Sequence, residues 1–291
     1  MIQDGFIGAM LIFVEIFAVL FIAYWSLGLV LYFMQPVFLY SPVQEVPYTP
    51  EELGLDFEKV IFKSDDGLLL SGWYIPVKNS ELTVLFCHGN GGNMTHCLDT
   101  INILYDMGLN CFIFDYRGYG NSEGKPSEEG TYLDARAAYK WLTEEKKISP
   151  DDIIVFGRSL GGSLAAQLAS KVKVGALIIE SAFTSYVDIG RKFYPYMPVR
   201  WFARFSYRTV DYVKDVRCPV MIIHSRNDET IPFEFGLELY EAANEPKEFV
   251  EIFGSHNDGF LVSSEIYKNA WTKWLKSLKK HKSQVSRTHA S

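Results

Sequence analysis

Ile153-Ile154-Val155-Phe156-Gly157-Arg158-Ser159-Leu160-Gly161-Gly162-Ser163-Leu164-Ala165-Ala166 is the stretch that decides how this chain is read. A short, unbroken apolar run over 153–157 suits a strand buried on both faces of a sheet. The residues from Ser163 onward carry a helical pattern, so the chain must turn from strand to helix around Ser159. So sharp a turn strains the backbone at its apex, and the residues two positions to either side must lack a Cβ. Gly157 and Gly161 satisfy that requirement. The turn lifts the Ser159 hydroxyl above the sheet, and the helix that follows aims its first N–H groups at the same place, where they favour developing negative charge.

A serine hydroxyl at such a turn needs a base to take its proton and an acid to orient that base. Four histidines follow Ser159: His224, His256, His281 and His289. His224 ends an apolar run, and His281 and His289 lie in a basic tail. His256 sits in Gly254-Ser255-His256-Asn257-Asp258, a small loop between the last strand-like run and the last helix, and is the candidate base. Asp228 follows the strand-like run 220–224 and is the candidate acid, with Glu229 and Asp258 as alternatives. Asp258 is better placed to cap the last helix. Two N–H donors for an oxyanion are expected at Leu160 and at Asn90, the latter in His88-Gly89-Asn90-Gly91-Gly92-Asn93. His88 precedes Ser159 in the chain and is read as ordering that loop. The loop lacks the Lys-Ser/Thr of a phosphate-binding P-loop. Asn93-Met94-Thr95 matches a glycosylation sequon and is read as a chance match. Asp115 and Arg117, at a strand end, are expected to make an Asp–Arg or Asp–backbone contact.

Outward from this centre, strand-like runs at 59–63, 68–75, 83–87, 110–116, 153–157, 176–179, 220–224 and 249–253 alternate with helical patterns at 94–107, 127–145, 163–172, 233–243 and 258–280. Alternation of this kind implies an α/β fold with a mostly parallel, doubly wound sheet. The first two runs, joined through Asp65-Asp66-Gly67, read as an antiparallel hairpin. Residues 181–217, rich in Phe, Tyr, Trp, Pro and Arg, are too long for a plain crossover and are read as a crossover helix plus a small apolar lid.

The 291 residues are 48% hydrophobic and 22% charged, with a mean hydropathy of +0.02. This composition excludes a disordered or collagen-like chain. Much of the apolar excess sits at the N-terminus, where 25 of the 29 residues from Phe6 to Met34 are apolar. As helix that is about 44 Å, against a hydrocarbon core of about 30 Å. The run is too long for a cleaved signal peptide and has no Lys or Arg ahead of it. Residues 1–34 are therefore expected to form a single-pass membrane anchor, stopped by Pro36, with Tyr24, Trp25, Tyr32 and Tyr40 available to an aromatic belt. Glu15 is read as a tolerated carboxyl on that anchor. Residues 35–57, with four prolines, are expected to be an extended linker; 58–280 the α/β domain; and 281–291 a basic tail. From Lys268 onward the chain has seven basic residues and no acid, so with a net charge of −7 the first 267 residues carry −14. An acidic body argues against nucleic-acid binding. The first basic residue is Lys59, so charge bias gives no orientation. Four cysteines, none in metal-like spacing, suit free thiols in a reducing compartment, which favours a cytoplasmic domain.

Taken in order, HGNGGN (88–93), DYRGYGNSEG (115–124), GRSLGG (157–162), IIESAFTS (178–185), HSRNDETIP (224–232) and GSHND (254–258) resemble the α/β-hydrolase superfamily, and the Pro-rich approach to Gly72-Trp73-Tyr74-Ile75-Pro76 resembles its membrane-anchored branch. The resemblance covers residues 35–278. It implies a serine hydrolase acting on esters, thioesters or lipids, with Ser159, His256 and Asp228 as a triad and no cofactor or metal. It departs from the family pattern at His224-Ser225, where His-Gly is usual, and in a short lid. An acyl or lipid substrate near a bilayer is the leading expectation. Peptidase action on a free N-terminus is the alternative, with Glu180 the candidate to hold an ammonium group. A non-catalytic membrane-tethered module is the alternative of another class.

Overall fold

The computed structural model describes residues 2–288, with side chains from Phe6 to Lys279. His289, and the side chains of His281, Lys282 and Arg287, lie outside what is described. Eight strands form one sheet: β1 Glu58–Lys63, β2 Leu69–Ile75, β3 Thr83–Cys87, β4 Asn110–Phe114, β5 Ile153–Arg158, β6 Ala176–Glu180, β7 Val220–Ser225 and β8 Lys247–Ile252. Their order is β8-β7-β6-β5-β3-β4-β2-β1. β1 pairs antiparallel with β2, and β2 antiparallel with β4; every other pairing is parallel. The expected hairpin thus forms, turning through Gly67 at φ 96°.

The strands from β3 to β7 read as unbroken apolar runs because both faces are covered. Alternate residues point to opposite sides. Leu85, Val155, Leu177 and Ile222 face one cluster, which they share with Ala138, Leu164, Val213 and Leu239. Phe86, Phe156, Ile178 and Ile223 face the other, with Ile101, Leu104, Tyr267 and Trp271. The helices supplying these side chains are α2 Leu98–Asp106, α3 Glu128–Lys140, α4 Leu160–Lys171, α7 Thr209–Asp215, α8 Phe233–Ala242 and α10 Ser264–Thr288. Two short helices, α5 Tyr186–Phe193 and α6 Val199–Phe202, form the lid, and α9 Gly259–Val262 precedes α10. The residues expected as one last helix are therefore two, broken at Ser263, and α10 runs to Thr288 through much of the expected tail.

The strand order reverses between β3 and β5, the point at which open α/β sheets form a crevice beyond the carboxyl ends of their strands. The loop after β3 holds the Gly-rich residues, and the turn after β5 holds Ser159.

The N-terminal helix α1, Ile2–Leu39, is long and apolar enough over Phe6–Leu39 to cross a membrane. Pro36 does not stop it. Proline forfeits one backbone hydrogen bond, but two partners from far along the chain hold the turn: Gln35 Nε2 donates to Phe202 O (2.6 Å) and Gln35 Oε1 accepts from Arg204 N (2.8 Å). Tyr40 N continues the helical ladder to Pro36 O (2.9 Å). The segment expected as a linker is also part of the domain. Ser41–Pro42 pairs with Gly91–Gly92, and Asn93 Nδ2 donates to Val43 O and Glu45 O.

Candidate functional site

Ser159 adopts φ 56°, ψ −121°, a conformation that side chains other than glycine rarely take. The neighbours explain how it is held. A Cβ on Gly157 would lie 2.1 Å from Gly161 O, and one on Gly161 would lie 2.0 Å from Cys87 O. Strand, turn and helix are thus packed backbone against backbone, and Ser159 N is tied to Glu180 O at 2.9 Å.

The histidine loop after β8 and the acid loop after β7 converge on this serine. His256 Nε2 lies 3.1 Å from Ser159 Oγ, and His256 Nδ1 lies 2.7 Å from Asp228 Oδ2. Asp228 is buried, and burial disfavours its charge, but its contact with His256 and the N–H of Ile231 outweigh that and hold its pKa below the usual carboxylate value. An ionised carboxylate can only accept, so Nδ1 carries the imidazole proton and Nε2 is left to accept from the serine hydroxyl. The arrangement can move a proton from Ser159 to His256 while Asp228 steadies the resulting imidazolium.

The two alternative acids have other contacts. Glu229 Oε2 accepts from His256 N (3.1 Å) and so fixes the backbone of the histidine. Asp258 makes no side-chain cap; its Oδ1 accepts from Ser255 N (2.6 Å) and braces the same loop. Asp258 precedes the four-residue α9, and Ser255 N, one turn back, is the donor within reach. His224 is fully buried, with Nε2 on Ile231 O (2.9 Å) and 3.6 Å from Asp228 Oδ2, so it supports the acid loop from below.

Asn90, in the loop after β3, is fixed on three sides. Its carbonyl accepts from Ser41 N (3.2 Å) and Tyr119 Oη (2.8 Å), and its side chain donates to Leu39 O (3.1 Å). Leu160 is the first residue of α4. His88 stacks on Tyr116, and its Nδ1 contacts Gly89 O at 2.7 Å. Its Nε2 stands 3.6 Å from Asp115 Oδ1. Burial lowers His88 to about 4, which leaves its ring neutral, and raises Asp115 to about 7. Asp115 bonds backbone, accepting from Met94 N (2.8 Å), and not Arg117, which is drawn away to Asp134 and Asp66. Asn93 is completely buried with its amide engaged, as a chance sequon match requires.

A cavity of about 460 Å³ reaches Ser159, Leu160 and Asn90. Its walls are largely apolar: Ile189, Phe193 and Phe202 come from the lid, and Leu31 and Phe38 from α1, beside Gln35. The α1 contribution was not visible in the sequence, which reads residues 1–34 as an anchor stopped by Pro36.

Glu180, the candidate ammonium ligand, is not free. It is 2% exposed, and its carboxylate receives Arg158 Nε (2.7 Å) and Tyr267 Oη (2.8 Å). Its position at the end of β6, beside β5, puts it under Arg158 and away from the cavity. Glu180→Ala leaves a largely buried guanidinium unpaired, and urea unfolding of the detergent-solubilised chain is expected to show a loss of about 3–5 kcal/mol. A loss under about 1 kcal/mol, typical of an exposed pair, would show that Arg158 regains full hydration.

Residues 83–206 match the family profile described as the alpha/beta hydrolase fold. The chain is 34% identical over 276 residues to the alpha/beta hydrolase domain-containing protein WAV2 of Arabidopsis thaliana, covering 85% of this chain and 88% of that protein. It is 36% identical over 219 residues to an uncharacterized protein of Mycobacterium tuberculosis, covering 74% and 78%. Among solved structures, an esterase of Pyrococcus furiosus superposes with a TM-score of 0.69 at 26% identity, over 81% of this chain and 98% of that one. A strand order that reverses beside a glycine-flanked serine, a matching family profile, and a relative of that family similar over most of both chains lead to one conclusion: the chain belongs to the α/β-hydrolase family.

Proposed function

We propose that the protein is a serine hydrolase that cleaves acyl esters or thioesters at a membrane in which α1 is embedded. The observation that carries this reading is the continuous contact Ser159–His256–Asp228 opening onto an apolar cavity. Ser159 Oγ attacks the substrate carbonyl and His256 Nε2 takes the hydroxyl proton. The N–H groups of Leu160 and Asn90 hold the oxyanion. The leaving alcohol or thiol departs with the proton from His256, giving an acyl-enzyme. Water then attacks, passes a proton to His256, and the acid leaves as Ser159 Oγ recovers its proton. The esterase from Pyrococcus furiosus and the apolar cavity favour esters. The peptidase alternative is disfavoured because Glu180 is committed to Arg158 and Tyr267.

The test is fluorophosphonate labelling of the full chain in vesicles. Wild type is expected to form one covalent adduct, on Ser159, and Ser159→Ala none. An unlabelled wild type, or labelling that survives Ser159→Ala, overturns the reading.

A further inference from the structure

α1 is longer than a membrane requires. Its 38 residues make about 57 Å of helix, nearly twice a hydrocarbon core of about 30 Å. Among the described residues, its lid contacts fall on its second half. Tyr24 Oη donates to Tyr196 O (2.7 Å), and Trp25 stacks on Trp201 at 6.2 Å and touches Phe202 at 5.3 Å. Gly28 lies where an added Cβ would meet the Phe202 ring at 2.7 Å, so the lid seats directly on the helix backbone. Below these contacts, residues 6–23 are 18 exposed or half-exposed residues, about 27 Å of helix, close to one hydrocarbon thickness.

The lid face turned outward suits the boundary so placed. Tyr196 and Trp201 are 91% and 75% exposed, and Arg191, Lys192 and Arg200 border one groove with Trp201. Aromatic rings interleaved with cations are characteristic of a membrane–water interface. Immediately above, Leu31 and Phe38 line the cavity that reaches Ser159. One helix face therefore runs from the bilayer interior to the reactive serine.

We propose that α1 is one wall of an acyl-chain subsite, and that the substrate is a bilayer-resident ester whose acyl chain slides along α1 past Leu31 and Phe38 to Ser159. The proposal rests on the serine-hydrolase reading above. Leu31 and Phe38 are then substrate-binding residues, and Gln35, bridging Phe202 O and Arg204 N, is a positioning residue that holds the lid against α1.

The test uses the full chain in phosphatidylcholine vesicles and a long-chain fluorophosphonate carrying a photoreactive diazirine near the end of its alkyl chain. After Ser159 is labelled, irradiation and peptide mapping are expected to place the second crosslink on residues 24–39. Labelled Ser159 with crosslinks confined to 186–202, or to lipid alone, overturns the proposal and leaves the hydrolase reading intact. Absence of any Ser159 label brings down both. Leu31→Trp, which fills the subsite, is expected to lower the ratio of dodecyl to ethyl fluorophosphonate labelling rates about tenfold, the effect of burying roughly two fewer methylenes. An unchanged ratio overturns the proposal.

Discussion

On the proposed serine-hydrolase reading, His256→Ala is expected to lower kcat/KM for an acyl ester by about 10⁴-fold or more, with the protein still folded. The size follows from what the ring does at 3.1 Å from Ser159 Oγ and 2.7 Å from Asp228. A neutral serine hydroxyl is a weak nucleophile, and no other described base contacts it. Because the groups act as a unit, Ser159→Ala and the double variant are expected to fall to about the same residual rate. Asp228→Asn keeps the shape of the loop but offers Nδ1 a donor or a neutral acceptor. It is expected to lose about as much, through the wrong tautomer. The measurement is steady-state hydrolysis of a nitrophenyl ester by the purified full chain, with a thermal melt to confirm folding. A His256→Ala loss below about tenfold would mean that the proton leaves by another route, and would overturn the assignment of the base.

The second large effect is on folding. Gly161→Ala puts a methyl group 2.0 Å from Cys87 O and 2.5 Å from His88 O. Both are backbone atoms of the strand end and loop that carry Asn90, so no rotamer change relieves the overlap. Overpacking that forces the backbone to move costs about 1–3 kcal/mol, occasionally more, and an overlap this deep belongs at the upper end. Gly161→Ala is therefore expected to yield little folded protein and no Ser159 labelling. Gly91→Ala is the control in the same neighbourhood: an added Cβ there meets nothing within 4 Å. It is expected to fold normally. Equal behaviour of the two variants in urea unfolding would show that the contact at Gly161 is not what shapes the turn.

Legibility followed the range of the interactions. The turn at Ser159 was readable because its steric demand is met within five consecutive residues. The doubly buried strands were readable because an unbroken apolar run has few other uses. The boundary near Pro36 was not. Its residue-level signal says stop, and the helix continues because Phe202 and Arg204, far along the chain, hold Gln35. The segment from Ser41 to Tyr48 looked like a spacer for the same reason. Its prolines suggest an extended chain, but its carbonyls accept from Asn93 and Thr95 and brace the loop that presents Asn90. Glu180 illustrates the converse error. A lone carboxylate near the site invites a functional reading, and only the register of β5 against β6 reveals that Arg158 already neutralises it.

The seam between α1 and the lid also has a timetable. Leu31 and Phe202 border one cavity but are 171 positions apart. At ordinary elongation rates the ribosome takes on the order of 10–30 s to make that interval. Throughout it the upper half of α1 has no lid to meet, and Ser159 is polymerised well before its partners Asp228 and His256. Under the proposed mechanism the nascent chain is thus chemically silent until nearly its last helix has been made, and its greasy first segment must be sheltered for most of that time.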